Sequence, residues 1–261
     1  MQKEVLIIIP AYNEEKNISK VLDRLEQPEI AEFADILVMN DASSDNTNWI
    51  VKARHHAVVT HVFNLGYGSA LQLGYKYAIR CNYRYVIQMD ADGQHDACNL
   101  INLYRALKTP DENGVYPDIV LGSRYLNDSP YFETSALKRF AFFLFRHIIK
   151  WSTGRTIMDP TTGLQGLSRR AALCYSKFGN FDEKYPDANM ITNMLLSDFN
   201  IVEIPAAMHL REHGKSMHSG LKPIGYMFHM FFSILAVLIR QKIFKNVPKA
   251  ERYNNDIQKT Q

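Results

Sequence analysis

The chain has 261 residues, of which 46% are hydrophobic and 22% charged, so it is long enough for a large globular domain with a buried core. Its formal net charge of +3 is too small to indicate a nucleic-acid-binding protein, and we expect no nucleic acid partner. The three cysteines form no CxxC pair and lack metal-ligand spacing, which favours a reducing, cytosolic compartment.

Apolar runs alternate with helical patterns from the start of the chain. The runs are "VLIII", "DILVMN", "AVVTHVF", "YRYVIQM" and "DIVLGS", and the segments between them carry the apolar stripe of helices. The N-terminal run is too short for a signal peptide and is predicted to be a strand. Apolar strands separated by helices indicate a parallel sheet covered on both faces. We therefore predict an α/β fold with a mostly parallel sheet flanked by helices.

The second half of the sequence is organised differently. Residues 136–151 form an apolar helical pattern, "MDPTTGLQGLSRRAA" is predicted to be a loop entering a helix, and "NIVEIPAAM" a further strand. We expect a catalytic domain over residues 1–220, an apolar helix over 221–247, and a polar, mobile tail over 248–261.

The apolar segment near the C-terminus is the part of the chain that could meet a membrane. Its core, Ile224 to Ile239, is interrupted by His229 and is short of the roughly 20 residues that a spanning helix needs. Basic residues flank it on both sides. We predict a helix that lies on or dips into a bilayer, or packs on a membrane partner. A buried core helix is the alternative.

Polar or turn-forming residues follow each of the five strand-like runs. These clusters are "PAYNE", "NDASSD", "NLGYG", "DADGQ" and "GSRY". The carboxyl ends of parallel strands lie at one edge of the sheet, and binding sites collect there. Five polar clusters at one edge predict a site.

The cluster "DADGQ" is suited to a cation. Asp90 and Asp92 are one residue apart, and Gln94 could add an amide oxygen. Mg²⁺ or Mn²⁺ takes one or two carboxylates together with substrate phosphates. Such a metal would stabilise a diphosphate leaving group. The alternative is a solvated turn that caps the helix starting near Asp96.

The other clusters offer groups for a nucleotide. Asp41 can accept hydrogen bonds from a base or ribose, Tyr12 can border the base, and Glu14 can bond to its edge. Arg124 can reach a phosphate with its fork of donors. Helix capping by Asn13 and by "SSD", and a surface position for Arg124, are the alternatives. The P-loop and dinucleotide-binding patterns are absent from the sequence.

The motifs "VLIIIPAYNEEKNI", "VMNDASSDNT", "NLGYGSALQLGYKYA", "QMDADGQHD" and "LGSRY" resemble family 2 glycosyltransferases in order and spacing. The resemblance is to the branch that includes dolichyl-phosphate mannose synthase and bacterial polyprenyl-phosphate glycosyltransferases. It implies a GT-A fold, a nucleotide-sugar donor, a divalent metal, Mg²⁺ or Mn²⁺, and an inverting reaction. It implies metal-diphosphate binding by Asp90, Asp92 and Gln94. It implies donor binding by Pro10, Tyr12, Glu14, Asp41, Gly68, Asp90 and Ala91.

The acceptor side resembles the family less closely. The motif R-x-x-G-x-S-K appears as "REHGKSM", in which Arg211 and Ser216 match and Lys215 precedes the position where lysine is expected. The resemblance implies that these three residues bind the phosphate of a lipid acceptor. If the acceptor is a hydroxyl, a carboxylate must take its proton, and Asp159 and Asp187 are the candidates. Helix capping is the alternative for both.

The leading expectation is a peripheral enzyme on the cytoplasmic face of a membrane. It would transfer a hexose from a nucleotide-sugar, with UDP preferred, to a polyprenyl phosphate for cell-envelope glycan or glycoconjugate synthesis. Asp92 and Arg124 would stabilise the leaving group. A separate membrane protein partner is also expected. The alternatives are transfer to a hydroxyl of a polysaccharide or lipid-linked glycan, and a catalytically silent subunit that binds nucleotide-sugar.

Overall fold

Seven strands form one sheet in the computed structural model, which describes residues 2–126, 129, 136–209, 222–243 and 249–258. The strands are β1 (Val5–Ala11), β2 (Ala34–Asn40), β3 (Ala57–Thr60), β4 (Tyr85–Gln88), β5 (Ile119–Ser123), β6 (Gln165–Ser168) and β7 (Ile201–Pro205). Their order across the sheet is β3-β2-β1-β4-β6-β5-β7. Strand β6 is antiparallel to β4 and β5, and the other pairs are parallel. The prediction of a mostly parallel sheet is confirmed.

Helices cover both faces of this sheet. Those in the described ranges are α1 (Ile18–Leu25), α2 (Pro28–Ala31), α3 (Thr47–Ala53), α4 (Tyr67–Arg80), α5 (Ala97–Leu107), α6 (Ala136–Thr153), α7 (Arg169–Ser176), α8 (Ala188–Leu196), α9 (Lys222–Ile243) and α10 (Ala250–Gln258). Apolar residues of α1, α2, α3 and α5 pack on one face of the sheet. Those of α4 and α6 to α10 pack on the other. The predicted helix over residues 136–151 corresponds to α6.

Strand β1 shows why the apolar runs predicted strands correctly. Leu6 and Ile8 belong to one apolar cluster, whereas Val5, Ile7 and Ile9 belong to the cluster on the opposite face. All five side chains are at most 1% exposed. A strand buried on both faces needs apolar residues at every position, because successive side chains point to opposite sides.

Strand β6 lies in a segment for which the sequence predicts a loop. It is only four residues long, and Gly166 lies where a Cβ atom would be 3.0 Å from Leu107 of α5. A short strand containing glycine carries little periodicity. Because β6 is antiparallel, the loop that precedes it enters at the edge where β4 and β5 end. This places residues 157–164 beside the turn after β4, which carries Asp90 and Asp92.

Helix α9 packs against α8 and α6 with one side only. Met230 and Ile234 are at most 1% exposed. The opposite side carries an apolar stripe, which comprises Phe228, Phe231, Phe232, Leu235, Ile239 and Ile243. By length and composition, Gly225–Ile243 is also long and apolar enough to cross a membrane. A core helix buried on all sides, the alternative weighed from the sequence, does not describe α9.

The polar C-terminal residues are expected to be a mobile tail, but the structure places α10 there. Tyr253 is 1% exposed and packs against Phe199, with ring centroids 5.8 Å apart. Its hydroxyl accepts a hydrogen bond from Nδ2 of Asn180 at 2.9 Å. A single buried aromatic residue anchors an otherwise polar helix, and overall composition does not detect such an anchor.

Candidate active site

The acidic turn between β4 and α5 holds its two carboxylates in defined positions. The Tyr67 hydroxyl, in the first turn of α4, donates to Oδ1 of Asp90 over 2.9 Å. Oδ1 of Asp92 accepts the backbone N–H of Gln94 at 3.1 Å. The capping of α5 is done by Asp96, whose side chain accepts a backbone N–H of that helix. Asp90 and Asp92 are therefore not the caps that the alternative required.

The donor atoms of this turn fit a divalent cation that also binds phosphate. Within the described ranges, no group of three or more His, Cys, Asp or Glu side chains could hold a metal by itself. Two carboxylates completed by a diphosphate are a common Mg²⁺ arrangement, and Asp90 and Asp92 suit it. Gln94 donates through Nε2 to the carbonyl of His209 at 2.9 Å. Its Oε1 atom is then the one suited to a metal, and its predicted role stays a prediction.

Arg124, which follows β5, forms a forked ion pair with Asp159. Its Nε and Nη2 atoms donate to the two carboxylate oxygens, each at 2.7 Å. The backbone N–H of Arg124 adds a bond to Asp159 at 3.0 Å. Burial lowers the pKa of Arg124, but its attraction to Asp159 outweighs burial, so the guanidinium pKa is raised and the group stays charged.

The ion pair changes the role expected of Asp159. The residue is fully buried, and both its oxygens face the guanidinium. Its backbone N–H donates to Glu203 of β7 at 2.8 Å. A carboxylate held in this way orients Arg124 and is poorly placed to take a proton from an acceptor. The prediction of Asp159 as a general base is corrected on this ground.

Asp187, the other predicted general base, has a raised pKa. Burial raises its pKa to about 7, with further raising by Asp90 and Asp182, against a hydrogen bond from Tyr226 and the charge of Arg124. The Tyr226 hydroxyl donates to Oδ2 of Asp187 over 2.8 Å. A carboxylate with a pKa near neutrality can exchange a proton at physiological pH.

Helix capping, the alternative for Asp187, is not what its side chain does. Asp187 is the N-cap residue of α8, but its side chain makes no capping hydrogen bond. The side chain of Asn189 accepts the N–H of Met190 at 2.8 Å in its place. The Asp187 carboxylate is turned toward Tyr226 on α9.

The loops after β1 and β2, which carry predicted donor-binding residues, are joined by hydrogen bonds. Oδ1 of Asn13 accepts the N–H of Ser44 at 2.8 Å. The N–H of Glu14 donates to Oγ1 of Thr47 at 2.9 Å. Asn13 has φ +55°, a conformation that asparagine tolerates better than most residues. Asn13 therefore connects two loops and does not cap α1.

Two donor-binding candidates project from these joined loops. Tyr12 is 50% exposed, as a residue that borders a base must be. Glu14 accepts a hydrogen bond from Nδ2 of Asn17 at 2.7 Å, which orients its carboxylate. Pro10 and Ala91 are buried, and their predicted donor contacts stay predictions.

Asp41 shapes the loop between β3 and α4. Its two oxygens accept the N–H groups of Leu65 and Gly66, each at 2.8 Å. His61 Nδ1 lies 2.7 Å from the same carboxylate. Asp41 is only 4% exposed, and these bonds employ both its oxygens within the chain. The structure thus gives Asp41 a role in holding the loop, and its predicted contact with a base or ribose remains a prediction.

Gly68 is needed for a close backbone contact. A Cβ atom there would lie 2.2 Å from the carbonyl oxygen of Asp182, a distance that no side chain tolerates. The neighbouring Ser69 N–H donates to the Glu183 carbonyl at 3.1 Å. Gly68 therefore joins α4 to the loop that carries Asp187, and its predicted donor contact is untested.

The predicted acceptor-phosphate residues Arg211, Lys215 and Ser216 lie outside the described residues. The sequence reasoning missed two residues that the structure brings to the site, Tyr67 and Tyr226. Tyr67 lies within "NLGYG", so its neighbourhood was a detectable signal. Tyr226 lies within an apolar run, and only the packing of α9 reveals its contact.

Comparisons with known proteins agree with this geometry. Residues 6–175 match the family model described as glycosyl transferase family 2. An uncharacterised protein of Methanocaldococcus jannaschii is 28% identical over 241 residues, which cover 92% of this chain and 93% of the relative. A polyprenol monophosphomannose synthase of Mycolicibacterium smegmatis is 27% identical over 233 residues, 84% of this chain and 82% of that one.

Solved structures support the same fold. Glucosyl-3-phosphoglycerate synthase of Mycobacterium tuberculosis is similar with a TM-score of 0.64 at 16% identity, covering 90% of this chain and 81% of that chain. The same enzyme in complex with Mn²⁺, UDP and phosphoglyceric acid gives 0.62 at 18% identity, covering 91% and 78%. The match to the family model covers more than half of the chain. The chain belongs to glycosyl transferase family 2, and it is a glycosyltransferase with a GT-A-like fold.

Proposed function

We propose that this enzyme transfers a hexose from a nucleotide-sugar to a polyprenyl phosphate at a membrane surface, with inversion at the anomeric carbon. The observation that carries the proposal is the similarity, over 84% of this chain, to a relative named polyprenol monophosphomannose synthase. A relative in Methanococcus voltae named UDP-N-acetylglucosamine–dolichyl-phosphate N-acetylglucosaminyltransferase is 26% identical over 65% of this chain. Membership of an enzyme family argues against a catalytically silent subunit.

The donor would lie across the carboxyl edge of β1, β2 and β4. Tyr12 and Glu14 face the base and ribose from the joined loops, and Asp90 and Asp92 hold the diphosphate through Mg²⁺ or Mn²⁺. When bound, this metal offsets the charge that develops on the leaving diphosphate. Arg124 adds a positive charge, and the ion pair with Asp159 holds its guanidinium group in a fixed orientation. UDP is our preferred donor nucleotide.

The acceptor would approach from the side of Asp187 and α9. A polyprenyl phosphate is anionic at neutral pH, and Arg211, Lys215 and Ser216 are proposed to receive its phosphate. A sugar hydroxyl is the second candidate acceptor. It is favoured by one observation, the raised pKa of Asp187, since a hydroxyl must lose its proton to a base.

Helix α9 is proposed to lie on the membrane at the cytoplasmic face. Its inner side is fixed to the domain through Met230 and Ile234, and Nε2 of Gln241 donates to Oδ1 of Asn193 of α8 at 3.2 Å. The apolar stripe on its outer side is therefore free to enter the interface while the catalytic domain stays outside. An exposed apolar face on a helix with flanking basic residues is typical of interfacial binding. We also propose a separate membrane protein that moves the lipid-linked product across the bilayer.

A transfer assay tests the reaction. The full-length protein is incubated with a short-chain polyprenyl phosphate, Mn²⁺ or Mg²⁺, and a panel of labelled UDP- and GDP-sugars. Labelled lipid that disappears with a chelator and with Asp92→Ala is the expected result, and it identifies the donor. If the nucleotide-sugar binds and no lipid is labelled, the phosphate acceptor is rejected and hydroxyl acceptors are tested next.

A further inference from the structure

Helix α9 contributes a side chain to the active site as well as an apolar outer stripe. Tyr226, one turn from its start, donates its hydroxyl to Oδ2 of Asp187 over 2.8 Å. The two residues are 39 positions apart in the sequence, so the contact exists only because α9 packs against α8. This hydrogen bond links the helix that carries the apolar stripe to a candidate catalytic carboxylate.

The position of Tyr226 is fixed by its neighbours. Its ring lies edge-on to that of Tyr185, with centroids 5.4 Å apart, and to that of Phe145 at 6.5 Å. About two helical turns further along α9, Ser233 accepts a hydrogen bond from Asn189 of α8 at 2.7 Å. Asn189 also donates to Asp182 at 2.7 Å. These contacts fix the rotation and the register of α9. The Tyr226 hydroxyl is therefore held within hydrogen-bond distance of Asp187.

We propose that Tyr226 is a positioning residue of the transfer reaction, whose hydroxyl holds the Asp187 carboxylate in the orientation that receives the proton of the acceptor. The proposal rests on the proposed function, because it assigns a task within the same transfer. A hydroxyl on the inner side of α9 costs desolvation unless it has a hydrogen-bond partner. Oδ2 of Asp187 accepts a hydrogen bond from this hydroxyl, and the same bond holds the carboxylate in one orientation.

The chemical step balances without a further reactant. The O–H bond of the acceptor breaks, and its proton goes to Asp187. The acceptor oxygen forms a bond to the anomeric carbon. The bond from that carbon to the diphosphate oxygen breaks, and its electron pair leaves with the diphosphate. A monoprotonated phosphate and a sugar hydroxyl both supply such a proton.

The pH dependence of this step follows from the groups that face Asp187. Tyr226 of α9 stabilises the ionised carboxylate, as does Arg124 after β5. Asp90 after β4 and Asp182 before α8 oppose ionisation. Removing the Tyr226 hydroxyl takes away one stabilising group, and the groups on the other elements, including the Tyr67 hydroxyl of α4, stay in place. The pKa of Asp187 then rises, and the acid limb of the kcat profile moves to higher pH.

The test compares Tyr226→Phe with the matched control Tyr185→Phe in the full-length protein. Tyr185 belongs to the same aromatic cluster, and its hydroxyl has no described hydrogen bond to Asp187. We expect Tyr226→Phe to lower kcat at pH 7 by roughly ten- to a hundredfold, the effect of losing a hydrogen bond to a charged group. The donor KM should stay unchanged and the acid limb should shift upward. Tyr185→Phe should match the wild type.

A second measurement separates this inference from the proposed function. The Asp187 carboxyl is titrated by ¹³C NMR in the substrate-free protein, with Asp187→Asn used to assign its signal. A higher pKa in Tyr226→Phe than in the wild type supports the positioning role, whichever acceptor is used. Equal pKa values, an unchanged kcat profile, or an identical shift in Tyr185→Phe overturn it. A wild type that labels no polyprenyl phosphate overturns the proposed function alone.

Discussion

A Cβ atom placed on Gly163 would lie 2.6 Å from Oδ2 of Asp90. Gly163 belongs to the loop that precedes β6, and its carbonyl accepts a hydrogen bond from Gln88 of β4 at 3.0 Å. The backbone of this loop is thus in close contact with the side chains of Gln88 and Asp90. The absence of a side chain at residue 163 is what leaves the Asp90 carboxylate in its place.

Replacing Gly163 with alanine should therefore weaken metal binding. The new methyl group displaces the Asp90 carboxylate or its loop, and we expect the affinity for Mn²⁺ in the presence of nucleotide to fall about tenfold or more. Electron paramagnetic resonance of free Mn²⁺ measures this affinity. Gly225→Ala is the control, because no atom lies within 4 Å of the Cβ position there. Unchanged Mn²⁺ affinity in Gly163→Ala would contradict the predicted metal role of Asp90.

The ion pair between Arg124 and Asp159 predicts a loss of stability together with a loss of activity. Asp159→Asn leaves the guanidinium without its buried countercharge, which typically costs about 3–5 kcal/mol of unfolding free energy. Urea unfolding measures the change. The control is Asp23→Asn, which removes an exposed partner of Arg54 at 2.6 Å and should cost under about 1 kcal/mol. Similar costs for the two variants would show that Asp159 is not the orienting group described above.

The sequence predicted correctly those elements whose residues all have the same kind of environment. Strand β1 is buried on both faces, so its composition alone identifies it. Strand β6 is short and holds a glycine against α5, and α10 is polar apart from its buried residues. Their structure is decided by the contacts they make with distant elements. The periodicity of apolar residues in a single sequence does not predict those contacts.

The same distinction applies to the site. The placement of Asp90, Asp92 and Arg124 at one edge of the sheet could be predicted because each follows a strand, and the parallel sheet brings such positions together. The pairing of Asp159 with Arg124 depends on the antiparallel entry of β6, which the sequence did not reveal. Whether a carboxylate acts as a base or as an ion-pair partner is decided by its neighbours. The neighbours of Asp187 come from α4, α8, α9 and the ends of β4 and β5.

The raised pKa of Asp187 predicts a pH-dependent cost to stability. A carboxyl whose pKa is about 7 in the folded protein and near 4 in the unfolded chain favours folding at low pH. That contribution is lost progressively as the pH rises from about 4 to about 7, and the loss is complete at higher pH. Asp187→Asn cannot ionise, so it should unfold a few degrees above the wild type at pH 8 and show less difference at pH 5. Thermal melts at the two pH values measure this, and a stabilisation independent of pH would argue against the raised pKa.

The apolar stripe on α9 predicts binding to lipid vesicles. Phe228 and Phe232 are 63% and 61% exposed, and replacing both with serine removes much of the surface available to a bilayer. We expect at least a tenfold weaker partition onto anionic vesicles in a flotation assay, with little change in thermal stability. Trp49→Ser is the control, because that residue is 69% exposed on α3, which packs on the other face of the sheet. Equal binding by all three proteins would reject the stripe as the membrane contact.

Tyr253 should make the C-terminal helix necessary for the stability of the domain. Tyr253→Ala removes a side chain that is 1% exposed, and such truncations of buried aromatic residues cost about 3–5 kcal/mol. Tyr253→Phe keeps the buried ring and removes the hydroxyl with its hydrogen bonds to Asn180 and Cys174, which should cost about 1 kcal/mol. Both values are obtained from urea unfolding at fixed pH. A mobile tail would leave the unfolding free energy unchanged in both variants, because a residue that is solvated before and after unfolding contributes nothing to the difference.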